Sequence, residues 1–161
     1  MRGVAALRNE GIPAKACLMG EGSERAALEE LIDRLHLSGA VQLPGWLPGA
    51  DRRLAAADIV ALPSANEGLA NVLLEAMGHG VPVVATDAGG TSEVFTDDRE
   101  MLIAPVEDEK AFHARLLRAA GDPGLRARLG AAGLAAVRER FTWSAMAGAL
   151  GKLVDKLGKQ R

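Results

Sequence analysis

Short apolar runs alternate with longer amphipathic stretches from the N-terminus to residue 106, and this alternation constrains the fold more than any other feature. The apolar runs predict strands at residues 14–19, 40–43, 59–62, 81–86 and 101–104. Between them, apolar side chains recur at the spacing of helices. Strands that alternate with helices form βαβ units, whose crossovers make the strands parallel. The sequence therefore predicts an α/β fold with a mainly parallel sheet and helices on both faces.

Beyond residue 106, only helices are predicted. Asp108, Pro123 and Thr142 stand where helices begin, and the last helix spans residues 142–157 with one apolar face. The chain has 161 residues, which is the length of about one domain. It carries no internal repeat or linker, so residues 1–161 are expected to form a single domain.

Composition excludes several classes of function. Lys and Arg number 19 and Asp and Glu number 21, a formal charge of -2, which argues against a bulk electrostatic grip on nucleic acid. The single cysteine, Cys17, excludes an internal disulfide and fits a reducing compartment. No apolar run approaches the ~20 residues of a transmembrane helix. His36, His79 and His113 show no metal-ligand spacing. We expect no nucleic-acid partner, no transmembrane segment and no metal.

Residues 63–77 carry the most informative pattern. They follow a predicted strand, and ligands of parallel α/β sheets bind at the carboxyl ends of the strands. When the segment is projected as one helix, Glu67, Asn71 and Glu75 share a polar arc opposite the apolar one. The two carboxylates would then lie about 12 Å apart along the helix. This separation exceeds the ~5–9.5 Å of two carboxylates that flank one scissile bond.

This spacing favours two acceptors that bind hydroxyl groups at opposite ends of an extended ligand. Between them, the free N–H groups of a helix start near Gly68 to Ala70 favour an anion. Hydroxyl, phosphate and hydroxyl in a row describe a nucleotide sugar. Two structural interpretations remain open. Ser64 and Glu67 also fit a capping box, and Asn71 and Glu75 also fit the solvent face of an amphipathic helix.

The same residues resemble a known signature. Glu67 and Glu75, with Gly68, Asn71 and the run Leu73–Met77, resemble the E-x7-E motif of retaining glycosyltransferases of family 4, which have the GT-B fold. Further segments fall where that family has them: Gly20–Gly22 with Arg25, Val41–Gly45, Ala57–Ile59, Pro63–Ser64, Gly80–Gly90 and Glu93. The resemblance covers essentially the whole chain. It implies a Rossmann-like fold, that of an incomplete C-terminal domain of a GT-B enzyme.

The resemblance also implies a function. Enzymes of this family transfer a sugar from a nucleotide-diphosphate donor, such as a UDP- or GDP-sugar, to an acceptor hydroxyl with retention of anomeric configuration. The match to the family motif implies that Glu67 is the candidate catalytic residue and binds hydroxyls of the donor sugar. Gly68, Leu69 and Ala70 offer backbone N–H groups to the sugar and diphosphate, and Asn71 belongs to the same donor-binding set.

The nucleotide part of the donor is expected at neighbouring loops. The resemblance implies that Glu75 binds the ribose hydroxyls. It implies that Gly20 and Gly22 let the chain pass close to the nucleotide. It places the loop of Trp46 and Leu47 near the base. The family generally needs no cofactor and no divalent metal, because backbone dipoles and basic side chains stabilise the leaving diphosphate.

One part of the family pattern is not matched. In the family, this domain opens with a strand, a glycine turn and an Arg and Lys pair that holds the diphosphate. No Arg or Lys of residues 1–15 stands in that context, so the chain is expected to lack this first strand. In the family that strand is central, between those matching 14–19 and 59–62. Its loss is expected to leave two strand edges with unpaired backbone groups.

Three interpretations of the chain remain open. It is a fragment of a larger glycosyltransferase, inactive alone, or a small module completed by a partner chain, by sheet closure or by strand exchange between copies. The third is a non-catalytic protein that binds nucleotide sugars. In the first two, the expected partner is an N-terminal acceptor domain or a partner chain. We expect a cytoplasmic location, with peripheral membrane association of the full-length enzyme left open.

Overall fold

The structure, a computed structural model, describes residues 1–158. Helices and strands alternate up to residue 104 and only helices follow, as the sequence predicts. The strands are β1 Ala16–Met19, β2 Val41–Gly45, β3 Val60–Leu62, β4 Val83–Thr86 and β5 Leu102–Ala104. The helices are α1 Arg2–Asn9, α2 Arg25–Arg34, α3 Ala50–Leu54, α4 Asn71–Gly78, α5 Thr91–Val94, α6 Glu109–Gly121, α7 Pro123–Arg140 and α8 Trp143–Gly158.

All strand pairs are parallel, which confirms the predicted α/β class. The strands form two sheets, β1 with β2 and β3 with β4 and β5 in that order. Val60 lies opposite Val83, and Val84 lies opposite Leu102. Among the described strands, β1 and β3 each pair on one side only. Strand pairing is therefore interrupted between the two sheets.

Strand β4 is the centre of the core because it is covered on both faces. Its side chains from Val83 to Thr86 are all buried. Val83 and Ala85 pack in one apolar cluster with residues of α4, and Val84 packs in a second cluster with residues of α6 and α7. Successive side chains of a strand point to opposite faces, so helices lie on both faces of the sheet, as predicted.

The sheet of β1 and β2 has its own small apolar cluster, centred on Ile32, Leu37 and Val41. Helix α1 connects this part to the rest of the molecule by packing on α6. At Gly3, a β-carbon would lie 2.7 Å from a terminal methyl of Leu116, so a larger residue there would require that side chain to shift. The two sheets are thus held together through packed helices rather than through strand pairing.

Helix α8 carries a stripe of exposed apolar side chains. Thr142 caps its first turn, as predicted, by accepting a hydrogen bond of 3.2 Å from the N–H of Ala145. The exposed side chains of the stripe are Trp143, Met146, Leu150, Leu153, Val154 and Leu157. Residues 1–158 contain no helix with the length and apolar content that crossing a bilayer requires.

Truncation of Leu129 tests the buried packing between α7 and the sheet. Leu129 is fully buried in the cluster around Val84. We expect Leu129→Ala to lower the free energy of unfolding by about 2–5 kcal/mol, because it removes buried surface and leaves a cavity. Leu150→Ala on the exposed stripe of α8 is the matched control, with an expected change within about 0.5 kcal/mol. Urea denaturation measures both, and equal losses would contradict this assignment of the core.

Candidate functional site

The loops after the parallel strands form the candidate site. Strands β3 and β4 are parallel neighbours, so the loops that follow Leu62 and Thr86 emerge at the same edge. Strands β1 and β2 are also parallel, so their loops share an edge as well. Met19, at the end of β1, packs against the same apolar cluster as Leu62, at the end of β3. The carboxyl ends of β1 and β3 are therefore both in contact with this cluster.

The segment of Glu67 to Glu75 differs from its prediction in one respect. Helix α4 begins at Asn71, and Ala70 is its extended N-cap residue, with φ -70° and ψ 119°. Glu67 therefore lies in a loop, whereas Glu75 lies on the helix. The segment is therefore not one continuous helix, and the 12 Å separation, which assumes such a helix, does not apply.

The helix start still offers backbone donors. No side chain caps α4 at Ala70, and the first bond within this turn runs from the N–H of Leu73 to the carbonyl of Ala70, at 3.0 Å. The N–H groups of the first helical turn have no partner within a helix. Because of the later start, these donors belong to Asn71 and Val72 rather than to residues 68–70. A helix N-terminus of this kind favours an anion.

The capping-box interpretation of Glu67 does not hold. Ser64 does contact Glu67, with its hydroxyl donating to the carboxylate at 3.0 Å. A capping box, however, requires the glutamate at the third position of the helix, and α4 begins four residues after Glu67. The contact instead closes a loop. The hydroxyl of the buried Thr86 donates to the carbonyl of Ser64 at 2.5 Å and anchors this loop to β4.

A glycine turn after β4 supports the loop of Glu67. Gly89 and Gly90 have φ values of 63° and 74°, which favour glycine. A β-carbon on Gly89 would overlap the backbone carbonyl of Glu67 and lie 2.7 Å from the carbonyl oxygen of Gly68. Asp87 orders the turn by accepting bonds from the N–H and the hydroxyl of Ser92, at 2.8 and 2.7 Å. The sequence gives no local signal for the contact between Gly89 and Glu67.

The polar side chains of the predicted site are accessible. Glu67, Asn71 and Glu75 are all exposed. Neither Glu67 nor Glu75 takes part in an ion pair within residues 1–158. Asn71 and Glu75 are separated by one helical turn and share a face of α4. Both carboxylates are therefore available as acceptors for ligand hydroxyl groups.

The other predicted residues lie at the ends of β1 and β2. Gly20 and Gly22 form an exposed turn after β1, in which the N–H of Gly20 donates to the carbonyl of Gly45 at 2.9 Å. Trp46 follows β2 and leaves 73% of its surface exposed, while Leu47 is half-buried. The glycine turn and the loop of Trp46 are thus adjacent, as a shared nucleotide site requires.

Solved glycosyltransferases share this fold. The chain superposes on a mutant of S. aureus TarM, solved with Fondaparinux, alpha-GlcNAc-glycerol and UDP, with a TM-score of 0.84, 22% identity, and coverage of 93% of this chain and 31% of TarM. The chain also superposes on Anabaena Alr3699/HepE in complex with UDP, with a TM-score of 0.82 and 24% identity. This superposition covers 97% of this chain and 45% of that one. The fold is that of the C-terminal domain of GT-B glycosyltransferases, as the sequence predicts.

Sequence comparison identifies the family. The profile of Glycosyl transferases group 1 matches residues 1–122. A curated relative is the "Lipopolysaccharide core biosynthesis glycosyltransferase LpsD" of Rhizobium meliloti (strain 1021), 37% identical over 139 residues. The alignment covers 86% of this chain and 40% of the relative, so the chain spans two fifths of that protein's length. The chain belongs to the glycosyl transferases group 1 family.

Proposed function

We infer that this chain is the donor-binding part of a glycosyltransferase. It holds a nucleotide-diphosphate sugar at the carboxyl edge of the sheet while the sugar is transferred to an acceptor hydroxyl. The observation that carries this inference is the arrangement after β3, where the exposed Glu67, the uncapped start of α4 and the exposed Glu75 follow one another. Membership of the family and the UDP bound to neighbours of the same fold support it.

Each part of the donor has a proposed partner. Glu67 acts at the sugar, where its carboxylate accepts bonds from hydroxyl groups. The backbone of Gly68, Leu69 and Ala70 faces the sugar and the diphosphate. Since α4 begins at Asn71, the N–H groups of its first turn add donors for the phosphates.

The nucleoside is proposed to lie beyond the phosphates. Glu75 accepts bonds from the ribose hydroxyls, and Asn71 on the same helix face lies between it and the loop. Gly20 and Gly22 allow close approach of the nucleotide, and the exposed indole of Trp46 with Leu47 borders the base. This arrangement fits a UDP- or a GDP-sugar equally.

We assign the transfer to the retaining class, family 4, because the E-x7-E spacing of Glu67 and Glu75 matches that signature. Fixed backbone dipoles around the first turn of α4 are proposed to stabilise the leaving diphosphate without a metal. They are aimed before the reaction begins, so no reorganisation is needed when charge develops on the leaving group.

The chain alone is proposed to be inactive, with the acceptor bound by another domain or chain. Two surfaces support this proposal. Among the described strands, β1 and β3 each pair on one side only, and such edges accept a further strand. The apolar stripe of α8 is exposed over more than half of its side-chain surface at Trp143, Leu150 and Leu157. A strand from a partner chain, or from a second copy by exchange, would complete the sheet.

Calorimetry of the folded chain with UDP, GDP and their sugar conjugates tests the proposal. We expect saturable binding of one of the two nucleotides at one equivalent per chain, and no sugar transfer to added acceptors. A chain that is folded by circular dichroism and binds none of these compounds would contradict donor binding. Sugar transfer by the chain alone would contradict only the proposal that another domain or chain is required.

A further inference from the structure

We propose that Arg25 is a positioning residue for the nucleotide, acting through Glu21 on the glycine turn after β1. The inference rests on the proposed function, since it deepens the account of the same site. Arg25 lies at the start of α2, directly after the turn of Gly20 to Gly22. The sequence pattern includes Arg25 but assigns it no role.

All three nitrogens of the Arg25 guanidinium donate hydrogen bonds to the protein itself. Its Nη1 donates to the Glu21 carboxylate at 2.9 Å, its Nε to the Glu29 carboxylate at 3.0 Å, and its Nη2 to the backbone carbonyl of Leu43 at 2.9 Å. Each nitrogen thus has a protein acceptor. Arg25 is therefore arranged to hold three chain segments together rather than to bind a phosphate directly.

Glu21, which is bound by Arg25, also contacts the end of β2. Its carboxylate lies against Gly45, where φ is 78° and a β-carbon would overlap the carboxylate oxygen. The N–H of Gly20 donates to the carbonyl of Gly45 beside this contact, at 2.9 Å. Glu21 and Arg25 therefore act as a latch, defined here as this ion pair, between the turn after β1 and the end of β2.

The latch fixes the distance between the two segments that border the proposed nucleotide. One segment is the turn of Gly20 to Gly22, and the other continues from Gly45 into the loop of Trp46 and Leu47. The ion pair is substantially exposed, with 40% of the Arg25 and 54% of the Glu21 side chain accessible. Exposed ion pairs add little to global stability. Its loss should therefore weaken nucleotide binding without unfolding the chain.

The test compares Arg25→Met with Glu29→Gln, which removes only the ion pair along the surface of α2. The probe is UDP or GDP, whichever the wild-type chain binds in calorimetry. We expect Arg25→Met to raise the Kd about tenfold, which corresponds to about 1.4 kcal/mol of binding free energy. Glu29→Gln should leave the Kd unchanged, and the thermal midpoints of both variants should match that of the wild type. Arg25→Lys should restore part of the affinity, because an ammonium group retains the charge but not the fork geometry.

A second variant separates the latch from a general effect of removing Arg25. Glu21→Gln removes the same ion pair from its other side, and the double variant with Arg25→Met should lose no more affinity than either alone. Wild-type affinity in Arg25→Met, or additive losses in the double variant, would overturn the inference while leaving the proposed function intact. Failure of the folded wild-type chain to bind either nucleotide would overturn the proposed function, and the inference with it.

Discussion

Glu75→Ala is expected to lower the affinity for free nucleoside diphosphate by roughly ten- to a hundredfold, the effect of losing hydrogen bonds to a charged acceptor. Glu75 is exposed, forms no ion pair within residues 1–158 and lies on α4 at the far end of the polar segment from Glu67. Because its proposed partners are the ribose hydroxyls, discrimination between donor sugars should change little. Calorimetry with the nucleoside diphosphate and with its sugar conjugates measures both quantities.

Glu67→Ala should produce the reverse pattern. Its carboxylate is proposed to act at the sugar, so affinity for the free nucleoside diphosphate should be nearly unchanged while the preference for one sugar conjugate is lost. Glu30→Ala is the matched control, because Glu30 is also an exposed carboxylate but lies on α2. Its affinities should equal those of the wild type. Equal losses of nucleoside diphosphate affinity in Glu75→Ala and Glu67→Ala would contradict the assignment of Glu75 to the ribose and Glu67 to the donor sugar.

Gly89→Ala is expected to abolish donor binding and to destabilise the fold. A left-handed backbone costs a non-glycine residue about 1–2 kcal/mol, and Gly89 has a φ of 63°. The added β-carbon would also overlap the carbonyl of Glu67, so the loop that carries this carboxylate must move. The loss of binding should therefore exceed what the loss of stability explains.

Gly11→Ala separates backbone strain from overlap. Gly11 has a φ of 79°, similar to that of Gly89, but no atom lies within 4 Å of a β-carbon placed there. Gly11→Ala should lower the free energy of unfolding only by the cost of the left-handed backbone, and it should keep wild-type affinity for the nucleotide. Chemical denaturation and calorimetry on both variants make the comparison. Equal affinities in Gly89→Ala and Gly11→Ala would show that the turn after β4 does not position the loop of Glu67.

The fold was predictable because its strongest signals are local. The apolar run of β4 is continuous because α4 covers one face of the strand while α6 and α7 cover the other. Such a strand needs apolar side chains at every position. Asp108 and Asp122 cap α6 and α7 with side-chain bonds to the backbone three residues later, at 2.9 and 2.8 Å, a pattern visible in sequence.

The start of α4 was not predictable by the same means. The helical periodicity of apolar residues continues back through Leu69, so local pattern alone places the helix too early. The loop conformation depends on Thr86 and Gly89, which contact Ser64 and Glu67 from a different strand end. The latch of Glu21 and Arg25 likewise depends on Gly45, which is distant in sequence. Site geometry was set by contacts between loops, and local periodicity carries no signal for them.

The central claim is that the carboxyl edge of the sheet binds the nucleotide of a sugar donor. Titration of the isotope-labelled chain with UDP and with GDP, followed through backbone amide chemical shifts, tests it residue by residue. One of the two nucleotides should shift the amides of Gly20, Gly68, Asn71 and Val72, and Glu75→Ala should require a higher concentration for the same shifts. A folded chain whose amides do not respond to either nucleotide, or respond instead where α1 packs on α6 around Gly3, would contradict the claim.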